Sequence, residues 1–393
     1  MKSRFQMLPL EGIVSFKTGK LNSNAAKSDG VFPFFTCSQE TYRTDTWSFD
    51  GEYVLLAGNN AAGIYPLKYF NGKFDAYQRT YAIRSVDQKT VLTRYVYYAL
   101  RLQLELMKSI STGVATKFLT LTLLNQTQIP VPPLRTQRKI TEIVSAYDDL
   151  IENNTRRIRI LEEMAQMIYR EWLVNFRFPG HENVKIVESE MGPIPKRWSA
   201  SSVGRLADDA RRSIDPSELD PETPYIGLEH MPRKSIALSD WGKAGQVQST
   251  KLRFRRGEIL FGKIRPYFHK VGIAPVDGVC SSDAIVIVPK KEEWSLLLLC
   301  CVSSKEFVDQ ATQTSQGTKM PRANWGVLTH YPIALPEDSV LSLFNDAISP
   351  MVDLIKNLVF RNRNLQTTRD ILLPKLISGE VSVENLEVAA TPA

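Results

Sequence analysis

One pattern occurs twice along this chain. Residues 116–130 (TKFLTLTLLNQTQIP) and 318–332 (TKMPRANWGVLTHYP) align without a gap at an offset of 202, and each leads through a short proline-containing stretch into a long helical segment. Solenoid repeats have periods of roughly 20–50 residues. A period this long implies a duplicated module instead: globular unit, long helix, globular unit, long helix. A duplicated reader joined by a spacer suits a duplicated target, and split DNA sites are such targets.

The helical segments carry the clearest pattern. Ile140, Val144, Tyr147, Ile151, Asn154, Ile158, Leu161, Ala165, Ile168 and Trp172 alternate spacings of 4 and 3, a coiled-coil seam with one polar member. At an offset of 204 the second segment gives Phe344, Ile348, Met351, Ile355, Leu358, Asn362, Leu365, Arg369, Leu372 and Leu376. Asn362 and Arg369 break that seam, Pro350 is expected to kink its first turns, and Pro374 and Gly379 to mark its end. Antiparallel packing about 156 and 360 sets Asn154 opposite Asn362, so these two amides are expected to fix the register. A helix over residues 137–174 spans roughly 57 Å, about one and a half turns of B-DNA.

Between the helices the pattern is mixed α/β. Strands are expected at 53–57 and 81–83, then at 258–261, 270–274 and 284–288. Helices are expected at 93–110 and, in the matching place of the second half, at 294–307. The domain organisation read from this is 1–134, a first lobe; 135–178, a helical spacer; 179–336, a second lobe; 337–380, a second spacer; and 381–393, a tail.

Charge sits in the lobes. Of the net +7, residues 1–134 carry +6 and 191–336 carry +5, against +1 for 135–178 and −1 for 337–380. That is the footprint of two polyanion-binding lobes on a neutral spacer. The start of the sequence has no long apolar run, and the longest such run, 296–302, is too short to span a bilayer. Cys37, Cys280, Cys300 and Cys301 have no zinc spacing and read as buried free thiols, which fits the cytoplasm. His181, His230, His269 and His330 have no metal-like partner at helical spacing, so no metal site is expected. Residues 257–264 match the Gly and Lys positions of a P-loop, but Ile264 stands where Ser or Thr must reach magnesium. No catalytic set can be assembled.

The richest candidate for DNA contact is residues 251–270, KLRFRRGEILFGKIRPYFHK. It offers Lys251, Arg253, Arg255, Arg256, Lys263, Arg265 and Lys270 against the single acid Glu258, with Tyr267 and His269 interleaved. Arg265 is expected at a loop tip. Gln78 and Arg79 form a basic-polar loop in the other half. Lys117 and Lys319, each after a glycine-containing loop, are candidate phosphate clamps.

Several short motifs, in order and spanning nearly all of the chain, resemble the specificity subunits of type I restriction-modification systems. They are Ile129-Pro130-Val131-Pro132-Pro133-Leu134-Arg135-Thr136-Gln137; residues 161–166 through Glu171-Trp172; Gly192-Pro193-Ile194-Pro195 to Trp198; residues 257–267 with 280–283; and residues 368–379. The second helix departs from the family by opening on Pro336-Glu337-Asp338 and carrying Pro350, which puts its start in question. The resemblance implies an α+β fold: two target-recognition domains separated by two long helices that form an antiparallel coiled coil. It implies a non-catalytic reader of a bipartite site in double-stranded DNA, with no cofactor of its own and no membrane. It also implies two methyltransferase subunits that use S-adenosylmethionine on adenine, and motor-nuclease subunits that use ATP and magnesium. A stand-alone methyltransferase or nuclease, a purely structural coiled-coil adaptor, and the same reader fold in another anti-phage defence complex are the competing readings. The absent cofactor motifs oppose the first and the charge in the lobes opposes the second.

Overall fold

A computed structural model describes residues 4–58, 65–110 and 119–384, excepting the side chains of 106–110 and 246. Lys117, with Gly113 and Thr116, lies outside the described residues. The helices are α1 (Thr93–Ile110), α2 (Leu121–Gln126), α3 (Leu134–Tyr169), α4 (Val203–Leu206), α5 (Ser295–Val302), α6 (Lys305–Gln313), α7 (Trp325–Leu328) and α8 (Asp338–Ser378). The chain divides into two compact units, Met1–Asp149 with Leu365–Ala393, and Leu150–Asn364. Each unit therefore holds one lobe and a part of both long helices, rather than leaving the helices as separate domains.

In the first unit, strand Glu52–Ala57 lies between Thr80–Ser85 and Leu67–Asn71, and Val14–Thr18 completes a four-stranded antiparallel sheet. A smaller sheet pairs Phe32–Phe35 antiparallel with Tyr42–Thr44 and parallel with Asp75–Ala76. Strand Gln6–Pro9 closes onto Gln128–Val131. Helix α1 has the bounds read from its periodicity, and it buries Tyr95, Tyr98, Ala99 and Leu100 in the same cluster as Val54, Leu56 and Ile83.

The second unit repeats this order. Ala207–Asp209, Ala284–Pro289, Ile259–Gly262 and Val271–Ile273 form the four-stranded sheet. Pro224–Ile226 pairs parallel with Gly278–Cys280 and antiparallel with Gly242–Lys243, just as its counterpart does, and Lys251–Phe254 and Ser213–Ile214 extend the sheet. Ser199–Ser202 closes onto Pro332–Leu335. Where one helix was expected over 294–307, the chain breaks at Ser303 and Ser304. The Ser304 hydroxyl accepts from the Phe307 amide at 3.2 Å and starts α6 as an N-cap.

The topology corrects the register of the repeat. Thr120 caps α2 and Asn324 caps α7; strand Gln128–Val131 matches Pro332–Leu335; α3 begins at Leu134 and α8 at Asp338. All of these lie 204 apart, not 202. The offset of 202 gained the Thr-Lys identity but set exposed residues against buried ones. At 204, Leu119 meets Ala323, Leu124 meets Leu328 and Ile129 meets Ile333, all buried.

The long helices pack antiparallel within each unit. In the second, Asn154 Nδ2 donates to Asn362 Oδ1 at 2.9 Å, and Trp172 meets Phe344 edge-on at 6.4 Å. Between these pairs Ile158, Ala165, Ile348, Val352, Ile355 and Leu358 are buried in one cluster. In the first, Ile140 and Val144 share a cluster with Leu373, Leu376 and Ile377. Arg369, 8% exposed, is held there by Asp148 at 2.6 Å and Asp370 at 2.9 Å, while the Tyr98 hydroxyl donates to Asp148 at 2.9 Å. Helix α8 continues through Pro350 and Pro374 and ends at Ser378 before left-handed Gly379, so Gly379 rather than Pro374 marks its end. Gln137 is fully buried at the start of α3, where its amide bonds Thr90 O, Pro132 O and the Leu92 amide. Its counterpart 204 residues on, Leu341, is buried by apolar packing instead.

Removing Asp148 leaves the Arg369 guanidinium with Asp370 alone. Breaking a fully buried pair costs about 3–5 kcal/mol. Asp148 is partly exposed and Asp370 remains, so Asp148→Ala is expected to cost about 1–3 kcal/mol. Asp148→Leu with Arg369→Met should recover most of it. Urea denaturation of the single and double variants measures both; equal losses in the two would contradict the pairing.

Candidate nucleic-acid interface

The basic stretch 251–270 separates into cations that hold the fold and cations that face solvent. Lys251 is 7% exposed, and its ammonium donates to the carbonyl and hydroxyl of Ser249, each at 2.7 Å. Burial pushes its pKa down. Lys263 donates to Ser282 O at 2.6 Å and Lys270 to Leu228 O. His269 Nε2 donates to Ser303 O at 2.8 Å, which fixes its tautomer, and burial lowers its pKa. Arg265 is no free loop tip. Its backbone is left-handed, its amide donates to Pro321 O at 2.7 Å, and its side chain is half-buried beside Phe268. Arg253, Arg255, Arg256 and Tyr267 are exposed.

The turn that carries Arg255 and Arg256 is built for display. Glu258 is 9% exposed; one carboxylate oxygen bonds Arg212 and the other accepts the Arg255 amide at 2.8 Å. The Arg256 amide donates to Asp277 at 2.7 Å. Gly257 sits at φ 90°, a conformation L side chains disfavour. Both backbones are pinned while both guanidinium groups stay in solvent. The P-loop reading ends here, since Ile259–Gly262 is a buried strand and Glu258 an ion-pair partner.

In the first lobe, Gln78 and Arg79 are the exposed middle residues of a turn closed by Thr80 N to Tyr77 O at 2.8 Å. Gly58 N donates to Arg79 O at 2.8 Å. This turn lies between Asp75–Ala76 and Thr80–Ser85, so its topological counterpart in the second lobe is Ser281-Ser282-Asp283. It is not the counterpart of 251–270, and the two basic loops are not a repeated feature. Trp47, 46% exposed with the Lys73 ammonium 4.4 Å from its ring, is a further cation–aromatic surface in this lobe.

A groove of about 980 Å³ in the second lobe brings together Arg211, Lys263, Gln316 and Arg322 beside Asp208 and Asp209. Lys319 is exposed on the loop that borders it. Arg211 and Gln316 are exposed, and Arg322 approaches Asp283 at only 4.0 Å. The sequence reading missed Arg211, Gln316 and Arg322. The doublet Arg211-Arg212 was the available signal for the first, but only topology separates exposed Arg211 from Arg212, which pairs with buried Glu258.

The remaining reactive groups are engaged in the fold. Each histidine ring bonds backbone: His181 to Phe178 O, His230 to Gly227 N, His269 to Ser303 O and His330 to Gly326 O. Burial pushes the thiols of Cys280, Cys300 and Cys301 up to about 12, far from nucleophilic at neutral pH. Among the described residues no group of three or more His, Cys, Asp or Glu could hold a metal ion, and no helix is long and apolar enough to cross a membrane.

Residues 2–163 match the family described as "Type I restriction modification DNA specificity domain". The EcoDI specificity subunit of Escherichia coli is 28% identical over 97% of this chain and 89% of its own length. The MjaIX specificity subunit of Methanocaldococcus jannaschii is 26% identical over 77% and 72%. Among solved structures, the type I restriction-modification S subunit from M. genitalium matches with a TM-score of 0.56 at 13% identity, covering 95% of this chain and 96% of that one; this likeness bears on the fold.

Replacing Arg253, Arg255 and Arg256 together by Ala is expected to weaken DNA binding and lower the slope of log K against log salt by about 0.9 for each lost phosphate contact. Lys251→Met should lower thermal stability and leave that slope alone. Titration of a DNA duplex at several salt concentrations distinguishes the two, and an unchanged slope in the triple variant would remove this turn from the interface.

Proposed function

We propose that this chain is a specificity subunit of a type I restriction-modification system, a non-catalytic component, and that it reads a bipartite DNA site with an unread spacer. Residues 1–134 and 179–336 each read one half. The observation that carries this reading is the repetition of one sheet order in two lobes that alternate with paired helices. Two similar readers on a helical spacer fit two short base sequences held a set distance apart. Phosphate contacts would come from exposed cations such as Arg79, Arg253, Arg255 and Arg256. Asn154 and Asn362 would keep the helices in one register, since a buried amide loses its partner when the register slips.

The chain would direct two adenine methyltransferase subunits, which use S-adenosylmethionine, and motor-nuclease subunits, which use ATP and magnesium. One surface supports a helical partner. Ile160, Met164, Met167 and Val174 are 46%, 44%, 63% and 50% exposed, and they recur at coiled-coil spacing on α3 and the turn after it, away from the buried seam. Methionine suits such a surface because it adapts to the facing side chains.

Co-expression with a methyltransferase subunit and single-molecule mapping of methylated adenines tests the reading. A split motif that disappears when this chain is omitted is expected. A stable complex with no motif would favour the same reader in another defence assembly. Met164→Asp with Met167→Asp should abolish co-purification of the methyltransferase subunit while leaving the melting temperature within a few degrees; retained co-purification would free this face of that role.

A further inference from the structure

We propose that Glu162 and Gln166 are positioning residues: together they seat the 263–270 loop of the second lobe on α3, and so set where that lobe meets DNA. The proposal rests on the reading above and adds the residues that orient one reader.

The two side chains stand four residues apart, on one face of the helix. One oxygen of Glu162 accepts three hydrogen bonds, from the Ser235 hydroxyl at 2.6 Å, the Ile236 amide at 2.8 Å and the Ala237 amide at 3.2 Å. Gln166 Nε2 donates to Cys300 O at 3.1 Å and to the Ser303 hydroxyl at 2.9 Å. The loop joins these two anchors. The Ser303 carbonyl accepts from the His269 ring at 2.8 Å, and the His269 carbonyl accepts from the Lys234 amide at 2.8 Å. Lys234 leads directly to Ser235. A closed ring therefore runs from Glu162 through Ser235, Lys234, His269 and Ser303 to Gln166.

Lys234 and His269 both hold left-handed backbones at φ 55° and 52°, unusual for residues other than glycine, at the two points where the ring pins them. From His269 the loop runs back through exposed Tyr267 to Lys263, on the basic groove. Beyond it, the Ile273 amide donates to Ile236 O at 3.0 Å, which ties the same strap to the sheet.

A packing role alone would favour an apolar side chain at 162, since burying a carboxylate is costly. Burial does push the Glu162 pKa up, against the bonds that favour its charge. What the carboxylate supplies is direction: three donors converge on one atom and leave the strap a single placement.

The full-length chain, co-expressed with its methyltransferase subunit, is to carry Glu162→Ala, Gln166→Ala, Glu162→Gln or Ser235→Ala. Methylated motifs and thermal melting are read for each. Glu162→Ala and Gln166→Ala should methylate sites whose unread gap is one base pair longer or shorter, with preference for the native gap falling about tenfold, the upper end of what one ordinary hydrogen bond contributes. The bases read by the first lobe should not change. Glu162→Gln keeps an acceptor oxygen and should restore the native gap. Ser235→Ala removes one bond and should relax the gap less, which serves if Glu162→Ala fails to fold. Folded alanine variants that keep one native gap at full preference would overturn the proposal, as would equal loss of both half-sites. A wild-type complex with no split motif would sink the underlying reading, and the proposal with it.

Discussion

A guanidinium or an amide caught between two packed helices has few places to go. In α3 and α8 the apolar seam positions would tolerate many alignments, because leucine and isoleucine bury against one another in any register that keeps the stripes facing. The polar members do not. Asn154 finds Asn362, and Arg369 finds Asp148 and Asp370 with Tyr98 behind Asp148. Slip either helix by one heptad and these groups lose their partners in a poorly hydrated seam, at a cost of several kcal/mol. Each lobe is attached to a helix whose axial position is set in this way, so the placement of loops and cations depends on a few polar contacts more than on the apolar area around them.

Periodicity made the long helices legible. None of the twenty seam positions read from the 4–3 spacing is exposed, and the central strands lie where short apolar runs suggested. The errors were of three physical kinds. Pro374 reads as a stop, but tertiary packing carries α8 past it to Ser378, as it often overrides local preference. The repeat was aligned on Thr-Lys identity rather than on burial, which displaced its register by two residues. The third kind concerns charge. Sequence shows where cations are, not which of them a nearby carbonyl will claim. Lys251, Lys263 and Lys270 were indistinguishable in the string from Arg253, Arg255 and Arg256, yet the lysines serve backbone oxygens while the arginines face water. Asp148 as the partner of Arg369 was equally hidden, because it lies beside the seam position Tyr147 rather than on it.

That division of labour explains how a basic lobe stays folded. Cations crowded onto one surface repel one another. Here part of the positive charge is consumed internally: Arg212 neutralises buried Glu258, and Lys270 and Lys251 fasten loop carbonyls. The acids Asp208, Asp209 and Asp283 sit among the groove's cations and temper the rest. What remains free is a small set of arginines on turns whose backbones are fixed by other residues.

Both lobes are moored to their helices in part through main chain, and this bears on how far a lobe can vary. Glu162 and Gln166 grip mostly main-chain atoms: two amides and one carbonyl, with two serine hydroxyls. Main chain is present whatever side chains a lobe carries. The first lobe is held in both ways: Gln137 of α3 bonds the Thr90 carbonyl and the Leu92 amide, while the Arg101 guanidinium and the Tyr98 hydroxyl reach Asp148. Only the second kind of bond needs particular side chains in α1. A lobe whose surface residues diverge therefore keeps its main-chain moorings to these helices, and in the first lobe an arginine and a tyrosine must be carried along with them.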